Sequence, residues 1–260
     1  MRILFIGDVD GEAGRRKVVT VLPELVSQYH TDVIIANCEN LTHGLGARES
    51  HIREMLGAGV NYFTSGNHIW DIKEIIPFLN QTDSPVLRPA NYPPGVAGAG
   101  VRLFTLPRGQ KLLLINLLGQ LFMPQSFENP FHMIDKILAE FDSAQPDAVI
   151  VDFHAEATSE KRAFGFYVDG RVSAVVGTHT HIPTADAQVL PKGTAYISDV
   201  GMVGAHDSVL GVNKDLAINY FRTQIPVHWE AAEGEGEFSA VFIETDDQTH
   251  LAKSIELIQR

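Results

Sequence analysis

Asp8, Glu39-Asn40, Asn67-His68, His154 and the pair His179/His181 each stand at the close of a short apolar run in this 260-residue sequence. Carboxylate, carboxamide and imidazole donors without a thiolate suit manganese, iron or zinc at a reactive site better than a structural zinc knot. His179 and His181 are two residues apart, so an extended backbone points both to one side. Each piece has an ordinary reading by itself. Asp8 can cap a helix, Glu39-Asn40 and Asn67 can make turns, and a lone His154 is more often a core histidine than a ligand. Taken together, the ordinary reading needs five coincidences at five run ends, and the shared position favours one site.

The runs themselves predict how these side chains are positioned. Arg2–Ile6, Asp32–Cys38, Tyr62–Thr64, Ala148–Phe153 and Arg171–Val176 are short apolar stretches of the kind that form buried strands. Helical spacing is expected over Glu12–Tyr29, near Ala47–Leu56, around Ile72–Leu79 and over Phe131–Phe141. Strands alternating with helices indicate βαβ units and a parallel sheet, an α/β fold whose ligands gather outside the carboxyl ends of the strands. From Val101 the texture changes to hairpins, Val101–Leu106 with Lys111–Asn116 and Phe238–Thr245 with His250–Ile258, the latter turning at Asp246-Asp247. Pro85–Gly100 reads as a surface loop within one domain spanning 1–260, because polar clusters on both sides of it look like parts of one site. No repeat or low-complexity segment interrupts the chain.

Composition narrows the classes. A net charge of −12 and a pI near 5.3 argue against a surface that coats nucleic acid, which needs massed Lys and Arg. They do not exclude a phosphate-bearing substrate, since a metal ion supplies positive charge that no residue count records. The single Cys38 excludes an intramolecular disulfide framework and a cysteine-built zinc finger. The N-terminus lacks the apolar core and small-residue cleavage site of a signal peptide. No charge-free apolar run reaches the ~18 residues of a membrane span. A cytoplasmic protein is expected.

Gly7-Asp8, Gly66-Asn67-His68, His154 and Gly177-Thr178-His179-Thr180-His181 resemble the motif series of the calcineurin-like metallophosphoesterases. The closer resemblance is to the YmdB-type bacterial phosphodiesterases, and it runs along essentially the whole chain. It includes Asp152-Phe153-His154-Ala155-Glu156-Ala157-Thr158-Ser159-Glu160-Lys161, Leu87-Arg88-Pro89-Ala90-Asn91, Pro191-Lys192-Gly193-Thr194-Ala195-Tyr196 and Asp199-Val200-Gly201-Met202. The resemblance implies a sandwich of two mixed β-sheets flanked by α-helices around two divalent metal ions, iron foremost, with manganese or zinc as alternatives. By motif position, Asp8 and His181 would hold the first ion, and Asn67, His154 and His179 the second. Glu39 would bridge them, and His68 would stand beside the site as proton donor.

Two positions depart from the superfamily pattern. Asp10 stands where a histidine ligand is usual, and Cys38-Glu39-Asn40 replaces the usual Gly-Asp. Either Asp10 or Asn40 can then complete the first ion's shell. Charge counting favours Asn40. Two divalent ions against Asp8, Glu39 and one hydroxide leave a single positive charge, which suits a monoanionic phosphodiester and which Asp10 would cancel. The resemblance also places the Asn after the Glu as a ligand.

The expected reaction is hydrolysis of a small phosphodiester, for which the resemblance implies 2′,3′-cyclic nucleotides, by attack of a metal-bridged hydroxide with His68 protonating the leaving alkoxide. The alternatives are a phosphomonoesterase of the same fold and a low-turnover regulatory metal-binding protein. A homo-oligomer is compatible with the sequence. Cys38 reads as core, Arg15 and Arg16 as helix-surface residues, and His43 as a turn residue. Phe122, Phe127 and Phe131 either stack on a base or anchor a loop. His132, His206 and His228 have no motif support.

Overall fold

The first strand, β1 (Arg2–Val9), is buried at every residue after Arg2, as a strand covered on both faces must be. Its side chains alternate between two cores, Leu4 and Ile6 in one and Ile3 and Phe5 in the other. This computed structural model describes residues 1–123 and 127–260. After β1 the order is α1 (Gly11–Tyr29), β2 (Val33–Asn37), α2 (Glu49–Ala58), β3 (Tyr62–Thr64), α3 (Ile76–Leu79), β4 (Val101–Thr105) and β5 (Lys111–Leu118). Then follow α4 (Pro130–Phe141), β6 (Ala148–His154), α5 (Thr158–Tyr167), β7 (Ala174–Thr178), β8 (Gln188–Val189), β9 (Ala195–Ile197) and β10 (Met202–Ala205). The chain closes with α6 (Lys214–Thr223), β11 (Gly236–Glu237), β12 (Ser239–Thr245) and β13 (Ala252–Gln259).

Two mixed sheets result. In the first, β1, β2 and β3 run parallel; the other edge of β1 pairs with antiparallel β12 along Arg2–Ile6 and with parallel β10 at Asp8–Val9. In the second, the order is β4-β5-β6-β7-β9-β8, with parallel β5, β6, β7 and β9 between two antiparallel edge strands. Ile3, Phe5 and Ile35 of one sheet meet Leu114, Ile150 and Val176 of the other in the central core. Leu22 and Leu25 of α1 cover the outer face of the first sheet, and Ile134 of α4 with Phe164 of α5 cover that of the second. The expected sandwich of two mixed sheets flanked by helices is what the chain adopts.

The differences from expectation have local causes. Asp8 lies inside β1, which continues to Val9 because β10 takes over the pairing where β12 stops. Around Ile72–Leu79 there is a 3-10 turn, Lys73–Ile75, and only the four residues of α3, with Pro77 in its first turn. The strand expected from Arg171 starts at Ala174. The C-terminal hairpin turns where expected, with the Asp246 carboxylate accepting from the backbone N–H groups of Gln248 and Thr249.

Candidate metal centre

The carboxyl ends of β1, β2 and β3 meet those of β6 and β7, and polar side chains stitch the two sheets together there. Asn37 Nδ2 at the end of β2 donates to Asp152 Oδ2 of β6 at 2.9 Å. The Ser65 N–H just past β3 donates to Asn116 Oδ1 of β5 at 3.0 Å. The site therefore lies between two sheets, fed by both, rather than along the edge of one.

Within it Glu39, His154 and His179 each place one donor atom within 4.8 Å of the others. Glu39 Oε1 is 3.0 Å from His154 Nε2, and His179 Nδ1 is 3.1 Å from the same nitrogen. Asp8 is fully buried beside them, with one oxygen 3.9 Å from His154 Nδ1 and the other accepting from the His179 N–H at 3.2 Å. Asn40 and Asn67 adjoin Glu39 and Gly66, and a Cβ placed on Gly66 would lie 2.2 Å from Glu39 Oε2 and 2.3 Å from His154 Nε2. His181 enters from the turn after β7 and is buried.

Neighbouring groups fix which atom of each side chain faces inward. The Thr178 hydroxyl gives its proton to Asp152 Oδ1 at 2.6 Å, so it accepts from His154 Nδ1 at 2.8 Å and leaves Nε2 toward Glu39. His181 Nδ1 donates to the Leu210 carbonyl at 3.0 Å, which leaves Nε2 free. His179 Nε2 faces Glu156 at 3.2 Å, so its Nδ1 is the inward atom. A carboxylate or carbonyl behind a histidine is how metal-binding imidazoles are commonly oriented. Asn40 spends its amide N–H on the Gly44 carbonyl at 2.7 Å, which points its oxygen away from that bond.

Three of the seven buried polar atoms without a partner among the described residues are oxygens of this group: Asp8 Oδ1, Asn40 Oδ1 and Asn67 Oδ1. Orphaned buried oxygens are costly unless something satisfies them. Asp8, Asp10, Glu39, Asp152 and Asp199 are all buried in this region. Burial, and to a lesser degree Asp199 and Glu39, drives the Asp8 carboxyl well up, against His154. Burial and then Glu39 carry Asp10 up to about 7. Burial would lower His154, but Glu39, Asp8 and Asp152 lift it to about 9, and His154 in turn holds Glu39 low despite its burial. A proton on His154 thus stands where a metal cation would. Burial and the nearby His154 push His179 down to about 3, and burial lowers His181, so both are neutral donors. An excess of buried negative charge, unpartnered oxygens and neutral imidazoles fits divalent metal ions.

A family model described as YmdB-like protein matches residues 4–258. The chain belongs to the YmdB-like family. It is 46% identical over 258 residues to a 2′,3′-cyclic-nucleotide 2′-phosphodiesterase of Bacillus subtilis strain 168, covering 99% of this chain and 96% of that relative. A crystal structure of a phosphatase from Mycoplasma pneumoniae superposes with a TM-score of 0.93 at 38% identity, covering 100% of this chain and 93% of that one. A 5′-nucleotidase precursor from Thermus thermophilus shares the fold at TM-score 0.60 and 12% identity, covering 100% of this chain and 54% of that one. The family and its phosphatase neighbour imply divalent metal ions, and the cluster above is where this chain could hold them.

Other expectations separate clearly. Asp10 precedes α1 without capping it through its side chain. Its carboxylate packs so closely on Gly211 that a Cβ there would meet it at 2.6 Å. Arg15 is buried rather than on the helix surface, and ties α1 to Glu54 at 2.9 Å and to the Leu41 carbonyl at 2.7 Å. Arg16 is exposed, as expected. Cys38 is core, and burial pushes its thiol up. Phe127 packs on Leu118 and Met123, and Phe131 packs on Phe164 and Tyr167, so both are anchors; Phe122 is exposed. His43 sits in a turn at φ 54°. Sequence reasoning missed the orienting groups Asp152, Thr178 and Glu156 and the Leu210 carbonyl. The first three lie inside quoted motif strings, so their company with candidate ligands was the only available signal.

Proposed function

We propose that this chain is a metal-dependent phosphodiesterase acting on small phosphodiesters, 2′,3′-cyclic nucleotides above all, with two divalent ions at the meeting of the two sheets. That it hydrolyses phosphoric esters follows from its family, whose relatives spanning the whole chain are named phosphodiesterase or putative phosphatase/phosphodiesterase. The observation carrying the metal reading is the trio Glu39, His154 and His179, ringed by the unpartnered oxygens of Asp8, Asn40 and Asn67. In this reading Asp8, Asn40 and His181 hold one ion, Asn67, His154 and His179 the other, and Glu39 both. Iron heads the choice of metal, with manganese or zinc also suited to these donors. When bound, the ions polarise the phosphoryl group and acidify a water.

The chain's own residues do the rest. His68 Nδ1 donates to Asp71 Oδ2 at 2.7 Å, and its backbone N–H reaches Glu39 Oε2 at 3.2 Å. These two bonds hold His68 at the rim of the site and leave Nε2 as the nitrogen that would pass a proton to a departing ribose oxygen. A diester is favoured over a monoester because the buried cations nearby are already engaged. Lys161 is bound to Asp199 and Thr178, and Arg15 to Glu54 and Leu41. For the organic part, an apolar groove of about 340 Å³ is lined by His43, Leu45, Leu210, Phe221 and Trp229. Two of its walls touch proposed ligands, since the Gly44 carbonyl holds Asn40 and the Leu210 carbonyl holds His181. A nucleoside presents the flat apolar face such a groove takes.

One domain over 1–260 is part of the same reading, since both sheets share a core and both feed the site. So is a cytoplasmic setting. The described residues contain no helix long and apolar enough to cross a membrane, and the lone cysteine is buried and unpaired. The test is turnover by manganese-loaded protein of 2′,3′-cyclic AMP against p-nitrophenyl phosphate. Faster hydrolysis of the cyclic diester is expected. Preference for the monoester would turn the reading to a phosphomonoesterase, and no turnover of either to a regulatory metal-binding protein.

A further inference from the structure

Lys161 of α5 is 1% exposed, and the reaction described above gives it no part. Its Nζ donates to Asp199 Oδ2 and to the Thr178 carbonyl, each at 2.7 Å. The same Oδ2 accepts from the Thr180 N–H at 3.0 Å and the Thr180 hydroxyl at 2.8 Å, while Oδ1 accepts from the Gly201 N–H at 2.8 Å. Thr180 stands between His179 and His181. The Gly201 carbonyl in turn receives the Asp8 N–H at 3.2 Å. One lysine and one carboxylate are therefore bonded to the backbone around three of the proposed ligands.

That backbone needs holding. His179 and His181 have φ values of 99° and 65°, a region that residues with a Cβ seldom enter. Such conformations persist where the surroundings over-determine them, typically at functional sites. Asp199 supplies the determination from below the turn. Its own backbone is also pinned, with Thr184 N–H donating to its carbonyl at 3.0 Å and its N–H donating to Thr184 Oγ1 at 2.9 Å. Lys161 matches the buried charge of Asp199, which would otherwise act as a free anion beside Asp8.

We propose that Lys161 and Asp199 are a positioning pair, which holds the His179–His181 turn and the end of β1 in the shape that binds metal. The inference rests on the metal reading above. It differs from the role of an ordinary buried ion pair, which would support folding and leave the metal affinity of folded protein unchanged.

The test is calorimetric titration of metal-free full-length protein with Mn²⁺ at 10 °C, each variant being checked for native circular dichroism. Lys161→Met should bind Mn²⁺ about 10–100-fold more weakly, the usual effect of removing an outer support of a metal site. Lys161→Met/Asp199→Asn removes the uncompensated charge and should regain thermal stability over the single variant. Its Mn²⁺ affinity should stay at least about tenfold weakened. One amide oxygen cannot serve both Thr180 and Gly201, and Thr178 still lacks its donor. Affinity within threefold of the unmodified chain in either folded variant overturns the proposal. Should neither fold, Lys161→Arg, which keeps the charge but not the compact Nζ donor, decides by the same criterion. Absence of Mn²⁺ binding by the unmodified protein would instead sink the metal reading itself, a separate result.

Discussion

His68 Nδ1 is committed to Asp71, so Nε2 is the atom that would pass the proton in the proposed reaction. A nitrophenolate leaves without that proton, whereas a ribose alkoxide needs it. General acid catalysis is typically worth ~10²–10⁴-fold, so His68→Ala should lose about that factor on 2′,3′-cyclic AMP and much less on bis-p-nitrophenyl phosphate. Similar losses on both, in metal-matched preparations, would make His68 a phosphate-binding donor instead. Glu39 and Asp10 separate in another way. Glu39 contacts His154 and the His68 N–H, whereas Asp10 packs against glycine backbone. Glu39→Gln should therefore lower the metal content measured by elemental analysis well below that of Asp10→Asn. Two metals per chain in Glu39→Gln would remove its bridging role. Donor type and position at a strand's end are one-dimensional properties, and from them the sequence nominates eight candidate side chains. The partner that turns each donor is not. Nothing local to His154 says that Thr178 will orient it, or that Glu156 will face His179.

At the scale of elements, β3 delivers Gly66 into the space between Glu39 and His154. Gly66→Ala would put a methyl group 2.2 Å from Glu39 Oε2 and 2.3 Å from His154 Nε2, where real contacts do not occur. The atoms to be displaced are side-chain tips, so the fold can absorb the change while the donor trio cannot. Gly66→Ala should keep native circular dichroism and lose most of its bound metal. A variant with unchanged metal content would show that these donors are free to move apart without consequence. The strands that carry the site were legible because parallel strands buried on both faces read as near-continuous apolar runs, as Val33–Ala36 of β2 and Ala148–Val151 of β6 do. α5 and α6 escaped notice for the opposite reason. α5 mixes Lys161, Phe164 and Gly165 on its buried side and shows no clear apolar stripe, while α6 buries only Ala217 and leaves Ile218 and Phe221 exposed. The two-residue strands β8 and β11 are too short to carry a period at all.

Across the whole molecule, the metal-free site binds more protons folded than unfolded. His154 is lifted from 6.5 to about 9, so the stability it contributes is complete below pH 6.5 and is lost as pH rises through 9. Asp10, raised from 3.8 to about 7, and Asp152, raised to about 6, act in the same direction, because ionising them costs more in the folded chain. Glu39 is held low and has the opposite sign, but its contribution is lost only as pH falls below its ordinary 4.5. His179 and His181, held neutral by burial, also have the opposite sign, and their penalty fades as pH rises past 6.5, offsetting part of the loss near the lower end of the range. Between pH 7 and 8.5 the metal-free protein should therefore weaken. His154 contributes most to that weakening, because its lifted proton is lost across this range. In the proposed site, metal ions held by Asp8, Glu39 and His154 would need those groups deprotonated, so they would replace the lost protons and bind more tightly over the same interval. Chelator-treated protein should have a lower melting temperature at pH 8.5 than at pH 7. Protein saturated with Mn²⁺ should lose less, and the gap between the two should widen steadily with pH. A constant gap would mean that metal and protons do not compete for the same atoms, and would detach the ions from Glu39 and His154.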